Sequence, residues 1–158
     1  MAKKIVLETR SEPAFFTLIG ISCHLLDYRL IYDFNHKMDF NFIKESDFIR
    51  SGIPAENNST FSFYFYKDED QRRSYYLLSN RSREGFLFPT LKQADFLLVI
   101  EGFFRKAHKE NFLSSVRSIP KVITAFEVKS TELKHLESFL FDLELHIMQI
   151  NKELKQQP

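Results

Sequence analysis

Tryptophan is absent from this 158-residue chain, and there is a single cysteine. One thiol, Cys23, rules out an internal disulfide and any thiolate set of the kind that holds structural zinc. Glycine (four) and proline (five) are scarce, which leaves little room for flexible linkers, so one domain over residues 1–158 is expected. Neither sign of charge dominates: 22 Lys plus Arg stand against 21 Asp plus Glu. A dedicated nucleic-acid binder draws its affinity from phosphate neutralisation and carries a basic excess, so the balance argues against nucleic acid as a partner. It favours self-association over mutual repulsion. No run approaches the roughly 18 apolar residues of a membrane span. The segment Met1–Thr9 meets Glu8 too early for a secretory signal. A cytoplasmic protein with no membrane attachment is expected, and the glycosylation-type triplets at Asn58 and Asn80 are read as chance.

What the chain does have is phenylalanine, 18 residues of it beside six tyrosines, which implies a ring-packed interior. Alternation and turn signals predict strands at Lys4–Glu8, Phe15–Ser22, Thr60–Tyr66, Tyr75–Ser79, Phe86–Phe88, Phe96–Glu101 and Val122–Val128, with a short edge strand within Asp39–Phe48. Within Thr60–Tyr66, Phe61, Phe63 and Phe65 share one face while Ser62, Tyr64 and Tyr66 share the other. Glu12-Pro13 punctuates the start, and Ser51–Ser59 is the clearest loop. Ser22 is positioned as the N-cap of a helix reaching Met38, with a buried stripe of Leu26, Leu30, Phe34 and Met38 and with Ile31 beside it. An all-helical reading of residues 14–38 competes; Gly20 and the β-branched Thr17, Ile19 and Ile21 favour strand then helix. Phe103–Ser118 reads as a second helix ended by Pro120. The order predicts an α+β fold with a mainly antiparallel sheet of about five to seven strands and three helices.

The third helix, capped by Ser130 and running to about Lys155, is the most informative. Leu133, Leu136, Leu140, Leu143, Ile147, Ile150 and Leu154 follow a 3,4,3,4,3,4 spacing, an a/d heptad seam. Phe141, Leu145 and Met148 form a second set, roughly 150° around the helix from the seam. A helix with one apolar stripe covers its own domain; a second stripe calls for something on its far side. Residues 130–155 are therefore the candidate dimerisation element, with Leu136, Leu140, Phe141, Leu143, Leu145, Ile147, Met148 and Ile150 as candidate interface residues. A long helix lying on its own sheet is the competing explanation of the seam.

Chemistry has weaker signals. Cys23, His24 and Asp27 cluster where the first helix should start, and a helix N-terminus lowers a thiol's pKa, giving a formal nucleophile with neighbours. Cys is equally a small buried apolar residue, and Asp27 a favourable first-turn charge. His24, His36, His108, His135 and His146 are scattered with no metal-ligand spacing, so no metal or cofactor is expected. Tyr64, Tyr66 and Tyr76, with Arg72, Arg73, Arg81 and Arg83 nearby, form the alternative reading, a sheet face on which bases stack; tyrosine is favoured in half-exposed strands in any case.

Three stretches, LIGISCHLLDYRL (Leu18–Leu30), FLFPTLKQADFLL (Phe86–Leu98) and LKHLESFLF (Leu133–Phe141), together resemble a small uncharacterised family, mostly from Bacteroidota, named for its IPExxxDY motif. The resemblance covers about residues 14–141. At the motif itself Pro89 and Asp95 agree when one extra residue is allowed between them, four residues separating Thr90 from Asp95 where the motif has three. Phe88, Thr90 and Phe96 replace its Ile, Glu and Tyr, so the motif's Glu carboxylate is missing. The resemblance implies no activity. The expectation is a non-enzymatic protein acting through protein–protein contacts, as a homodimer or with an unidentified protein partner.

Overall fold

The computed structural model describes residues 16–51, 58–83 and 85–155. The predicted strand Lys4–Glu8, the Glu12-Pro13 break and most of the Ser51–Ser59 loop lie outside them. In chain order the elements are β1 (Phe16–Cys23), α1 (Asp27–Lys37), β2 (Ile43–Ser51), β3 (Asn58–Asp68), β4 (Arg73–Ser79), β5 (Arg81–Ser82), β6 (Gly85–Phe86), β7 (Phe96–Glu101), α2 (Lys106–Arg117), β8 (Val122–Val128) and α3 (Leu136–Lys155). Six strands form one sheet in the order β2-β3-β4-β7-β1-β8, and every pairing is antiparallel. β5 and β6 make a separate two-stranded ribbon. The α+β class and antiparallel sheet are as the strand patterns predict.

Both faces of the sheet are covered, which explains the near-continuous apolar runs of β1 and β7. On the first face Ile19, Ile21, Tyr64, Tyr75, Leu98 and Ile100 pack under Leu30 and Phe34 of α1 and Phe112 and Val116 of α2. On the second, Phe48, Phe61, Phe63, Tyr76, Leu97 and Val99 pack against Phe139, Leu143 and Ile150 of α3. Leu87, Phe88, Leu91 and Ala94 complete that second cover. Phenylalanine dominates, as its abundance implies: Phe34, Phe48, Phe61, Phe63 and Phe139 are all fully buried, each contributing about 1.5–3 kcal/mol on burial. Phe40 alone meets the rings of Phe34, Phe42, Tyr66, Tyr75 and Phe112.

Two helix starts differ from the sequence reading. β1 runs through Ser22 to Cys23, because the Asp95 carboxylate accepts the Cys23 N–H at 2.9 Å and Ile21 O accepts the Asp95 N–H. α1 therefore opens at Asp27 behind Leu26, which offers no side-chain cap. Leu26, expected in its buried stripe, is 63% exposed. Nor does Ser130 cap α3. Residues Ser130–Glu132 form a 3-10 turn, closed by Glu132 Oε1 accepting the Lys129 N–H. His135 then takes a left-handed φ of 63° before α3 begins. Leu133, counted as the seam's first residue, is buried but precedes the helix.

Candidate functional site

α3 is anchored to the sheet by the seam its leucines suggest together with Phe139, which lies outside that seam. Phe139, Leu143 and Ile150 are buried, while Leu136, Leu140, His146 and Ile147 are half-buried beside them. Leu136, Phe139, Leu143, His146 and Ile150 also follow a 3,4,3,4 spacing, and the polar His146 hides that line from an apolar count. The imidazole edge lies against Phe48 and Phe63, with ring centroids 5.5 and 4.7 Å away. Polar contacts fix the helix to the edge strand β2: Arg50 donates to Asp142 at 2.9 Å and to Ser138 at 3.0 Å, and a His146 ring nitrogen lies 2.9 Å from Ser46 O. On the far side Phe141, Leu145 and Met148 remain 61%, 49% and 60% exposed. Of the candidate interface residues, then, Leu136, Leu140, Leu143, Ile147 and Ile150 belong to the protein's own core side. Only Phe141, Leu145 and Met148 present apolar surface outward.

The tyrosines do not make an exposed platform. Tyr64, Tyr75 and Tyr76 are buried, the first two under α1 and α2 and the third on the opposite face under α3's cover. Two of the hydroxyls are committed as well: Tyr64 donates to Asp27 at 3.0 Å and Tyr76 to Glu101 at 3.1 Å. Burial, followed by the neighbouring carboxylate, pushes both phenols well above their ordinary range. Tyr66 is half-buried in the first core. Arg72 and Arg73 sit at one end of β4 and Arg81 and Arg83 at the other, roughly 20 Å apart for a strand of this length. Arg73 donates to Phe103 O and stacks 4.1 Å over Phe104, while Arg81 pairs with Asp95 at 2.7 Å.

Cys23, His24 and Asp27 do border one cleft of about 780 Å³, together with Ser62, Arg81 and Asp95. They do not share a helix face, since Cys23 ends β1, His24 lies in the link and Asp27 opens α1. The Cys23 thiol is buried. Burial pushes its pKa up, a hydrogen bond with the Leu25 backbone opposes this, and the Asp95 charge adds to the rise. A thiol held in its neutral form is a poor nucleophile. Asp27 behaves in the opposite way. Burial alone would raise it, but Ser62, the Tyr28 N–H, Tyr64 and Lys44 together hold the carboxyl below its ordinary value. Among the described residues, no three His, Cys, Asp or Glu side chains converge as a metal site requires.

Asn80, which the sequence offered only as the start of a chance glycosylation triplet, is fully buried. Its amide donates to Leu91 O and Ala94 O, both at 2.9 Å, and its side-chain oxygen accepts the Phe88 N–H at 2.8 Å. Residues 85–95 are thereby strapped across the second face. Pro89 starts the 3-10 turn Pro89–Leu91 within this strap, and Asp95 ties its end to β1 and Arg81. Pro89 and Asp95 thus hold the strap in shape. The signal available in the sequence was a lone Asn between a strand and a Pro-containing apolar run.

The fold defines the molecule as an α+β domain with an antiparallel sheet between two covers. No family model, curated protein or solved structure matches the chain. Among the described residues, no helix is long and apolar enough to cross a membrane.

Proposed function

We propose that the protein works by self-association, as a homodimer built on the outward face of α3. The observation that carries this reading is the exposed set Phe141, Leu145 and Met148 on a helix whose opposite side is already seated on the sheet. Contiguous apolar surface of this kind marks interaction sites more often than free surface. The same face is self-complementary. In an antiparallel helix pair with its two-fold axis between Glu144 and Leu145, Phe141 lies opposite Met148 of the partner subunit. The same axis sets Glu137 opposite Lys152 of the partner subunit, so one register matches both apolar and charged groups, as an isologous contact requires. Kinship with the IPExxxDY family is proposed on the three stretches Leu18–Leu30, Phe86–Leu98 and Leu133–Phe141.

Magnitudes predict a weak dimer. Three half-exposed side chains from each protomer gain about 1–2 kcal/mol apiece on burial, against an association cost of about 4–15 kcal/mol. Light scattering from about 500 μM down to about 5 μM should therefore show the mass falling from dimer to monomer. Leu145→Lys should be monomeric throughout with an unchanged melting temperature, because exposed positions shift stability by under about 0.5 kcal/mol. Glu137→Lys should weaken association, and adding Lys152→Glu should restore it. A wild type that is monomeric at every concentration, or a Leu145→Lys variant that still dimerises, would overturn the reading.

A further inference from the structure

A second cleft, of about 480 Å³, opens between α1 and the turn that joins α2 to β8, where Pro120 and Lys121 line it. Its volume lies in the range of small-molecule sites. Arg29, Asp33 and Lys37 reach it from successive turns of α1, at the i, i+4 spacing that places side chains on one face. Asp33 is only 8% exposed. Its carboxylate has no hydrogen bond or ion pair within the described residues, although Arg29 and Lys37 flank it. A buried carboxylate left without a donor is costly, and here it lines an open cavity. The remaining wall is pre-set: Tyr32 and His36 stack at 3.9 Å, and a His36 ring nitrogen lies 2.9 Å from Tyr32 O. Lys121 stands on a left-handed turn with a φ of 72°.

Three cations around one carboxylate leave the cleft with an excess of two positive charges. A metal ion would be repelled, and a bare anion would meet Asp33. We propose that this cleft binds a small phosphorylated metabolite bearing a hydroxyl or amino donor. Arg29, Lys37 and Lys121 take the phosphate, as such side chains do elsewhere, and the Asp33 carboxylate takes the donor. The site is independent of α3 and of any dimer.

Titration calorimetry with ribose 5-phosphate and inorganic phosphate tests this directly. The wild type should bind ribose 5-phosphate about tenfold more tightly than phosphate. Asp33→Asn should weaken ribose 5-phosphate yet tighten inorganic phosphate, since the accepting charge and the repulsion vanish together. Lys121→Ala should weaken both. Adenosine monophosphate separates the two sources of this chemistry. Binding equal to ribose 5-phosphate supports a sugar phosphate, and tighter binding supports a nucleotide. Without any ligand, Asp33→Asn should melt no lower than the wild type. Absence of binding at about 10 mM, shifts of the same sign for both ligands in Asp33→Asn, or a lowered melting temperature would each overturn the proposal.

Discussion

The two covers of the sheet each bury a polar side chain, and the two are treated in opposite ways. In the strap over the second face, Asn80 spends both amide hydrogens and its oxygen on three backbone groups. In α1 over the first face, Asp33 is almost as deeply buried and its carboxylate is bonded to nothing in the described chain. A satisfied buried polar group holds irregular backbone in place. An unsatisfied one lowers stability unless something outside the fold completes it. The contrast separates a residue that builds the molecule from one that the molecule keeps available.

Four substitutions would sharpen or break this contrast. Asn80→Ala should have the largest effect, because it orphans the Phe88 N–H and the Leu91 and Ala94 carbonyls at once. We expect a loss of about 3–5 kcal/mol in denaturant unfolding. Gly20→Ala should follow at about 1–3 kcal/mol. The new Cβ would sit 2.7 Å from the Phe126 ring and 3.3 Å from the Ala94 methyl, so the second cover must shift at the strap's end. Asp33→Asn should move the other way, raising stability by up to about 1 kcal/mol in the same measurement. A loss comparable to that of Asn80→Ala would erase the distinction. The smallest effect is pH-dependent. Asp27 is held below its ordinary 3.8 in the folded protein, so the unfolded chain binds the proton first as pH falls. Its contribution is complete above about 3.8 and disappears as pH drops through the lower folded value. Asp27→Asn should flatten the rise of stability with pH in that acid window and leave the slope near neutrality unchanged.

Much of the fold was legible, for reasons that can be named. The two-residue period of Phe61, Phe63 and Phe65 against Tyr64 and Tyr66 predicted a strand with two distinct faces, though not that the tyrosine face is buried, and the continuous apolar run of β1 predicted an interior strand. Local polar rules misled where other bonds took precedence. Ser22 resembles a helix cap, yet Asp95, distant in sequence, holds the next residue in the sheet. Ser130 resembles another, yet Glu132 closes a tighter turn there. In α3 the apolar periodicity identified the two-sided helix and missed Phe139, because a half-buried imidazole occupies one place in the line that Phe139 belongs to. Asp33 gave no signal at all. In sequence it is one more charge at ordinary helical spacing between Arg29 and Lys37, and only the packing of α1 beside Pro120 and Lys121 encloses it.

A helix with apolar residues on both sides has a second way to settle on a sheet, roughly half a rotation away about its own axis. The seated side brings Leu136, Phe139, Leu140, Leu143, Ile147 and Ile150 to the core, against Phe141, Leu145 and Met148 on the other. Burial therefore favours the observed side, and the other is a competing, poorer minimum. Groups that contribute little to burial widen that gap. Arg50 reaches Asp142 and Ser138, and His146 reaches Ser46, only when Phe139 faces inward. The left-handed residue His135 sets the angle at which the chain enters the helix. Orientation in α3 is therefore set by its larger apolar side and reinforced by its polar residues, and weakening those contacts would narrow the margin over a misdocked state that exposes Phe139 and Leu143 in place of Phe141 and Leu145.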